Sequence, residues 1–104
     1  MTDRYFLLTY EAGENYVERR APLRAQHLAA AEEAARRGEL VTAGALADPI
    51  DGSLLIFKAA SADVARRFAE NDPYVVNGLI RNWRVREWTT VVGPAASVKL
   101  PDNL

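Results

Sequence analysis

Apolar residues along the chain gather into four short runs, separated by two longer segments in which they recur every three or four positions. Tyr5 to Tyr10 is aromatic and aliphatic and gives way to Glu11, Gly13 and Asn15, which predicts a strand followed by a loop. From about Ala21 to Arg37 the chain is rich in Ala, Glu, Gln and Arg. Pro22 near its start and Gly38 at its end mark it as the first helix. Leu23, His27, Ala30 and Ala34 repeat along one stripe, widened by Leu28, Ala31 and Ala35, while Glu32, Glu33, Arg36 and Arg37 fall mostly outside it. His27 therefore belongs to the inward side.

Leu40 to Leu46 predicts a second strand, in which Gly44 removes side-chain bulk and lets a neighbouring group approach. A turn follows at Asp48-Pro49-Ile50-Asp51-Gly52. Ser53 to Lys58 is the third strand, and Leu54, Leu55, Ile56 and Phe57 leave neither of its faces polar. The short turn pairs the second and third strands as a hairpin. Ser61 suits a helix N-cap, Asp63 suits the first turn, and Val64, Phe68 and Asp72 align at four-residue spacing through a second helix that Pro73 stops. A brief irregular or helical piece leads to Gly78. Trp83 to Val92 resumes a strand composition, and the tail from Gly93 reads as loosely held.

The order strand, helix, strand, strand, helix, strand in one small chain predicts an α+β fold. It is a ferredoxin-like βαββαβ antiparallel sheet with both helices on one face. A chain of 104 residues, 49% of them hydrophobic, is enough for one core, read here as a domain over residues 1–93 with a C-terminal tail at 94–104. Two helices cover only one face of the sheet, yet the first and third strands are apolar on both. The expected cover is a second copy of the chain, giving a homodimer.

Charge and composition narrow the partners. A formal net charge of -1 with 26% charged residues provides no basic field, so neither nucleic acid nor an anionic membrane is favoured. The chain has no cysteine, which removes disulfides, thiolate chemistry and Cys-based metal sites, and suits a reducing cytoplasm. No basic leader precedes Tyr5-Phe6-Leu7-Leu8 and no apolar run approaches the roughly 20 residues of a membrane span, so a cytoplasmic, soluble protein is expected. Gly38, Gly44 and Gly52 follow no nucleotide-binding pattern, Ser53, Ser61 and Ser97 stand in no nucleophile elbow, and no Asp/Glu/His spacing suggests a metal site. No cofactor or metal is implied.

The candidate chemistry lies at Asp72. An acid in the last turn of a helix faces the negative end of the helix dipole, so it calls for a cationic partner or a capping role. His27 is the chain's one histidine, and it lies on an inward stripe. A carboxylate that accepts from one imidazole nitrogen fixes the tautomer, favours the imidazolium and leaves the other nitrogen to exchange a proton with a ligand. The plainer alternative is a core histidine satisfied by a neighbour, with Asp72 capping the turn before Pro73. Arg24, three residues before His27, either binds an anionic substrate group or is solvated, and Tyr74 either lines a pocket or packs. Arg81, Arg84 and Arg86 with Trp83 and Trp88 form either an anionic aromatic site or a solvated strand face with core tryptophans.

The run Arg24-Ala25-Gln26-His27-Leu28, then Gly38-Glu39-Leu40-Val41 with Gly44-Ala45-Leu46, then Asp72-Pro73-Tyr74 leading to Gly78-Leu79, resembles the YCII-related family over roughly residues 4 to 92. The resemblance implies a dimeric α+β barrel. It also implies a site built on a histidine and an aspartate, which map to His27 and Asp72, and a likeness in fold to an isomerase and a dehydrochlorinase of small molecules. The loop Asp48-Pro49-Ile50-Asp51-Gly52 departs from the DGPF signature of a neighbouring family. Two functions stay open. One is a lyase or isomerase that moves a proton on a small cyclic or unsaturated organic acid or phenol. The other is a non-catalytic ligand-binding or interaction domain of the same fold.

Overall fold

The computed structural model describes residues 3–98. The chain runs β1 (Arg4–Ala12), α1 (Tyr16–Arg20), a 3₁₀ turn (Ala21–Leu23), α2 (Arg24–Arg36), β2 (Leu40–Ala45), β3 (Gly52–Ala59), α3 (Asp63–Asn71), α4 (Pro73–Val76) and β4 (Ile80–Trp88). The strands form one sheet of order β2-β3-β1-β4, antiparallel throughout, with the helices packed on one face. This is the expected ferredoxin-like α+β fold, the protomer architecture of dimeric α+β barrels.

Strand alternation sorts the side chains. Phe6, Leu8 and Tyr10 of β1 and Leu55 and Phe57 of β3 turn toward the helices and meet Ala34 of α2 and Ala65 and Ala69 of α3. Small residues on the helix side let both helices lie close against large residues on the sheet side. Each fully buried Leu or Phe there contributes roughly 1.5–3 kcal/mol. A second cluster joins Ala12, Tyr16, Tyr74 and Leu79 at the end of the sheet where β1 leaves it.

The other face carries Tyr5, Leu7 and Thr9 of β1, Leu54, Ile56 and Lys58 of β3, and their cross-strand partners Arg84, Arg86 and Trp88 of β4. No helix covers it. Leu54 and Trp88 are 39% and 45% exposed, so this face keeps an apolar strip bordered by cations. Among the described residues no helix is long and apolar enough to cross a membrane.

The differences from the sequence reading have physical causes. Asn15, with a left-handed backbone (φ 55), ends the loop early, and Tyr16–Arg20 then coils into a short helix. It merges through the Pro22 turn with α2. Five residues are too few to show a period, and no side chain caps them. The stripe of α2 is narrower than its spacing implies: Ala34 is buried and His27 half-buried, but Leu28 and Ala35 are exposed. Ser61 accepts from the Asp63 N–H at 3.3 Å, although the N-cap position itself falls on Ala62.

β4 spans Ile80–Trp88 rather than Trp83 to Val92, because its pairing with β1 begins at Ala12–Ile80 and runs out at Tyr5–Trp88. The β-branched residues beyond have no strand to join. Of the tail expected to be loose, residues 94–98 are tied back: the Thr90 hydroxyl donates to the Ala95 carbonyl at 2.7 Å and accepts from the Ser97 N–H at 2.8 Å. The remaining tail positions, 99–104, lie outside the described residues.

Gly38 closes α2 in the left-handed conformation (φ 80). Gly52 is required for a different reason, since a Cβ there would stand 2.5 Å from the Tyr10 carbonyl oxygen on the neighbouring strand. Gly52→Ala is expected to force β1 and β3 apart and to lower unfolding stability by about 1–3 kcal/mol. An unchanged midpoint in urea denaturation would refute that close approach.

Candidate active site

Pro73 ends α3 and fixes the first turn of α4, so Asp72 is at once the C-cap of one helix and the N-cap of the next. Its side chain accepts the Tyr74 N–H at 3.0 Å. The short second helix thus supplies the capping partner that an acid at the end of α3 calls for. Asp72 is 1% exposed, and two side chains from distant elements complete its shell. The Tyr10 hydroxyl of β1 donates to Oδ2 at 2.7 Å, and His27 Nδ1 of α2 lies 2.9 Å from both carboxylate oxygens. Three groups thus converge on the Asp72 carboxyl, and an imidazole that donates to it does so through Nδ1–H. Nε2 has no hydrogen-bond partner among the described residues.

The imidazole is held by packing as well. The Tyr74 ring stacks on it at 3.9 Å between centroids and 9° between planes. Tyr16 meets the Tyr74 ring edge-on at 5.8 Å, and the Arg20 guanidinium lies 5.4 Å over the Tyr16 ring. His27 keeps 14% of its side chain exposed, and that part borders a cleft of about 390 Å³ between α2 and β2. The volume falls in the range of roughly 300–1,000 Å³ usual for small-molecule sites. Among the described residues no group of His, Asp and Glu is placed to hold a metal ion.

Arg24, His27 and Tyr74 border this one cleft, and Asp72 stands behind His27. The arginines and tryptophans of β4 do not all share one face, although Arg84, Arg86 and Trp88 do. Trp83 packs on the core side, Trp88 and Arg86 lie on the open face, and Arg81 pairs with Glu11 at 3.4 Å. Gly44 admits no close protein neighbour; its missing side chain only widens the cleft. The sequence reading missed Tyr10, Tyr16 and Arg20. For Tyr10 a signal existed: it continues the inward alternation of Phe6 and Leu8, and a buried tyrosine hydroxyl requires a partner.

A family model of the YCII-related domain matches residues 4–89, and the chain belongs to that family. Among solved structures it is similar to 5-chloro-2-hydroxyhydroquinone dehydrochlorinase from Burkholderia phenoliruptrix in complex with 2,5-dihydroxybenzoquinone. The TM-score is 0.71 and the identity 26%, over 83% of this chain and 94% of that one. None of the curated proteins compared with the chain matches it.

Burial pushes the Tyr10 hydroxyl far above its ordinary range, and the adjacent Asp72 charge and hydrogen bond push it further. It therefore stays a neutral donor. The linkage has a definite sign, because the folded state holds this proton after the unfolded state has released it near pH 10. Stability is full below about pH 10 and falls as pH rises above it. Tyr10→Phe is expected to flatten that alkaline decline in a pH series of denaturation curves. At neutral pH it should cost about 1–3 kcal/mol, because Asp72 loses one donor. An alkaline slope identical to that of the unaltered protein would contradict the assignment.

Proposed function

We propose that the protein is a small-molecule lyase or isomerase that uses His27 and Asp72 as an acid-base pair on a small cyclic or unsaturated organic acid or phenol. One observation carries the reading. A carboxylate almost sealed from water holds Nδ1 of an imidazole that borders a cleft of small-molecule size. His27 Nε2 takes a proton from the ligand, and the electron pair it leaves forms a double bond. Either a leaving group departs with its own pair, as in a lyase, or the proton returns at another carbon, as in an isomerase. Asp72 stabilises the imidazolium formed between the two steps. The similar dehydrochlorinase, an enzyme of the first kind, supports the elimination. Arg24 and Tyr74 border the cleft as substrate contacts. A chain without cysteine suits work in the cytoplasm.

A turnover screen of cyclic acids and phenols, followed by variants, tests the chemistry. His27→Asn is expected to lower turnover by roughly 10²–10⁴-fold with the fold kept. NMR of the imidazole nitrogens should show the proton on Nδ1, and Asp72→Asn should abolish that tautomer preference. An imidazole protonated on Nε2 in the unaltered protein would remove the base from the cleft and with it the mechanism. Binding without turnover for every ligand would leave a non-catalytic binding domain.

The same reading places two copies face to face across the open side of the sheet, where Leu7, Leu54, Ile56 and Trp88 form an apolar strip of which Leu54 and Trp88 are exposed. Sedimentation at micromolar concentration is expected to give a dimer, and Ile56→Glu on that face should split it. A monomer in the unaltered protein would count against the arrangement.

A further inference from the structure

Five arginines among the described residues pair with carboxylates: Arg4, Arg36, Arg37, Arg66 and Arg81. Arg20 and Arg24 do not, and both border the cleft. Beside them stand Tyr16 and Tyr74, which are 5% and 3% exposed. Neither phenol oxygen has a hydrogen-bond partner among the described residues. No buried side-chain polar atom among the described residues is both sealed and unpaired, so these two oxygens keep access to solvent, and both tyrosines line the cleft. Burial, then Tyr16, raises the Tyr74 hydroxyl above its ordinary range while Arg20 and Arg24 draw it back; at neutral pH it is a donor. The cleft is therefore bordered by two guanidinium groups without a carboxylate partner, one of them over the Tyr16 ring, and by two tyrosines whose hydroxyls have no hydrogen-bond partner among the described residues. A neutral or cationic ligand would leave them unanswered.

The rest of the cleft has the opposite character. Ala31 and Ala35 of α2 face Ala43, Gly44 and Ala45 of β2 across a floor that includes Leu55. These short side chains form an apolar trough. Glu32 stands on its border, so a negative group placed at that end would be repelled. Charge thus gives the cleft a direction. Along α2, Arg24, His27 and Ala31 follow one another at spacings of roughly 4.5 and 6 Å, so the imidazole lies between the cationic end and the trough.

We infer that the cleft binds a monoanionic acid with an apolar ring. The carboxylate or phenolate sits between Arg20 and Arg24, within reach of the Tyr16 and Tyr74 hydroxyls, and the ring lies along the trough between α2 and β2. This rests on the acid-base reading above and adds to it. With the anion anchored one helical turn from His27, the proton that moves is on a ring atom adjacent to the acid group or conjugated with it.

Calorimetric titration with benzoate, benzamide, acetate and 2,4-dinitrophenolate tests the assignment. Benzoate is expected to bind about ten-fold or more tighter than its neutral amide and than acetate, which lacks the ring. The double variant Arg20→Gln with Arg24→Gln should weaken benzoate by about ten-fold or more and leave benzamide unchanged, with thermal melting confirming the fold. Ala43→Leu, which fills the trough, should weaken benzoate and not acetate. Dinitrophenolate in place of benzoate as the tighter ligand would assign the head group as phenolate rather than carboxylate; both support the proposal. Equal affinity for benzoate and benzamide, an arginine variant that binds unchanged, or no binding of any probe up to its solubility limit would overturn it. His27→Asn separates the two readings: it should keep benzoate binding while turnover is lost. Charge-blind binding with turnover still dependent on His27 sinks the anion site alone. Charge-selective binding with turnover indifferent to His27 sinks the proton transfer alone.

Discussion

The structure is organised around one carboxylate that has almost no access to water. Removing an ionised group from solvent costs several kcal/mol unless donors replace the lost hydration, and Asp72 receives them from β1, α2 and α4 together. The partners are 62, 45 and 2 residues away in sequence, so the group is satisfied only when the whole domain has closed around it. A well-packed apolar residue would hold the same space at no such cost. A buried carboxylate is therefore a costly way to fill that space, and what it does visibly is hold the His27 ring through Nδ1 at the edge of the cleft.

That constraint explains the local architecture. An interrupted helix between α3 and β4 is needed because Asp72 must leave the helical conformation (ψ 127) to turn its side chain back to the Tyr74 N–H. Pro73 enforces the break, and Tyr74, the next residue, places its ring on the imidazole. Three consecutive residues thus supply the acceptor, the break and the stacking surface. Tyr16 of the short helix α1 then props the outer side of Tyr74, which gives a five-residue helix of little intrinsic stability a reason to be ordered.

Much of this was legible in the sequence. The four strands, the two main helices and the facing of His27 and Asp72 follow from periodicity, from Pro73 and Gly38 as breakers, and from the scarcity of histidine. The illegible parts have a common physical origin: they depend on pairing across long sequence separations. Tyr10 looks like one more core aromatic until the sheet register brings it over Asp72. The end of β4 depends on where β1 begins, and nothing in Thr89 to Val92 records that. α1 has neither a cap nor a full period, and its order derives from Tyr16 packing on residues near position 74. Gly44 is the reverse case, because the close approach that its missing side chain allows is not taken up by any protein atom within 4 Å, and the space belongs to the cleft.

The cleft and the open face share the second strand pair. In β3, Ser53 and Leu55 border the cleft while Leu54 and Ile56 point to the uncovered side, and edge strand β2 runs beside both. A second copy laid on the open face would leave the helix-side cleft unobstructed and would press on the strands that form its floor. The cations on that face set the terms of such docking. Arg84, Arg86 and Lys58 flank the apolar strip, and burying them without acids opposite would cost more than the strip gains. An arrangement that keeps Leu54 and Ile56 at the centre and the three cations at a hydrated rim meets both requirements. It would stiffen β3 while leaving the edge of β2, and the entrance to the cleft, free to admit a ligand.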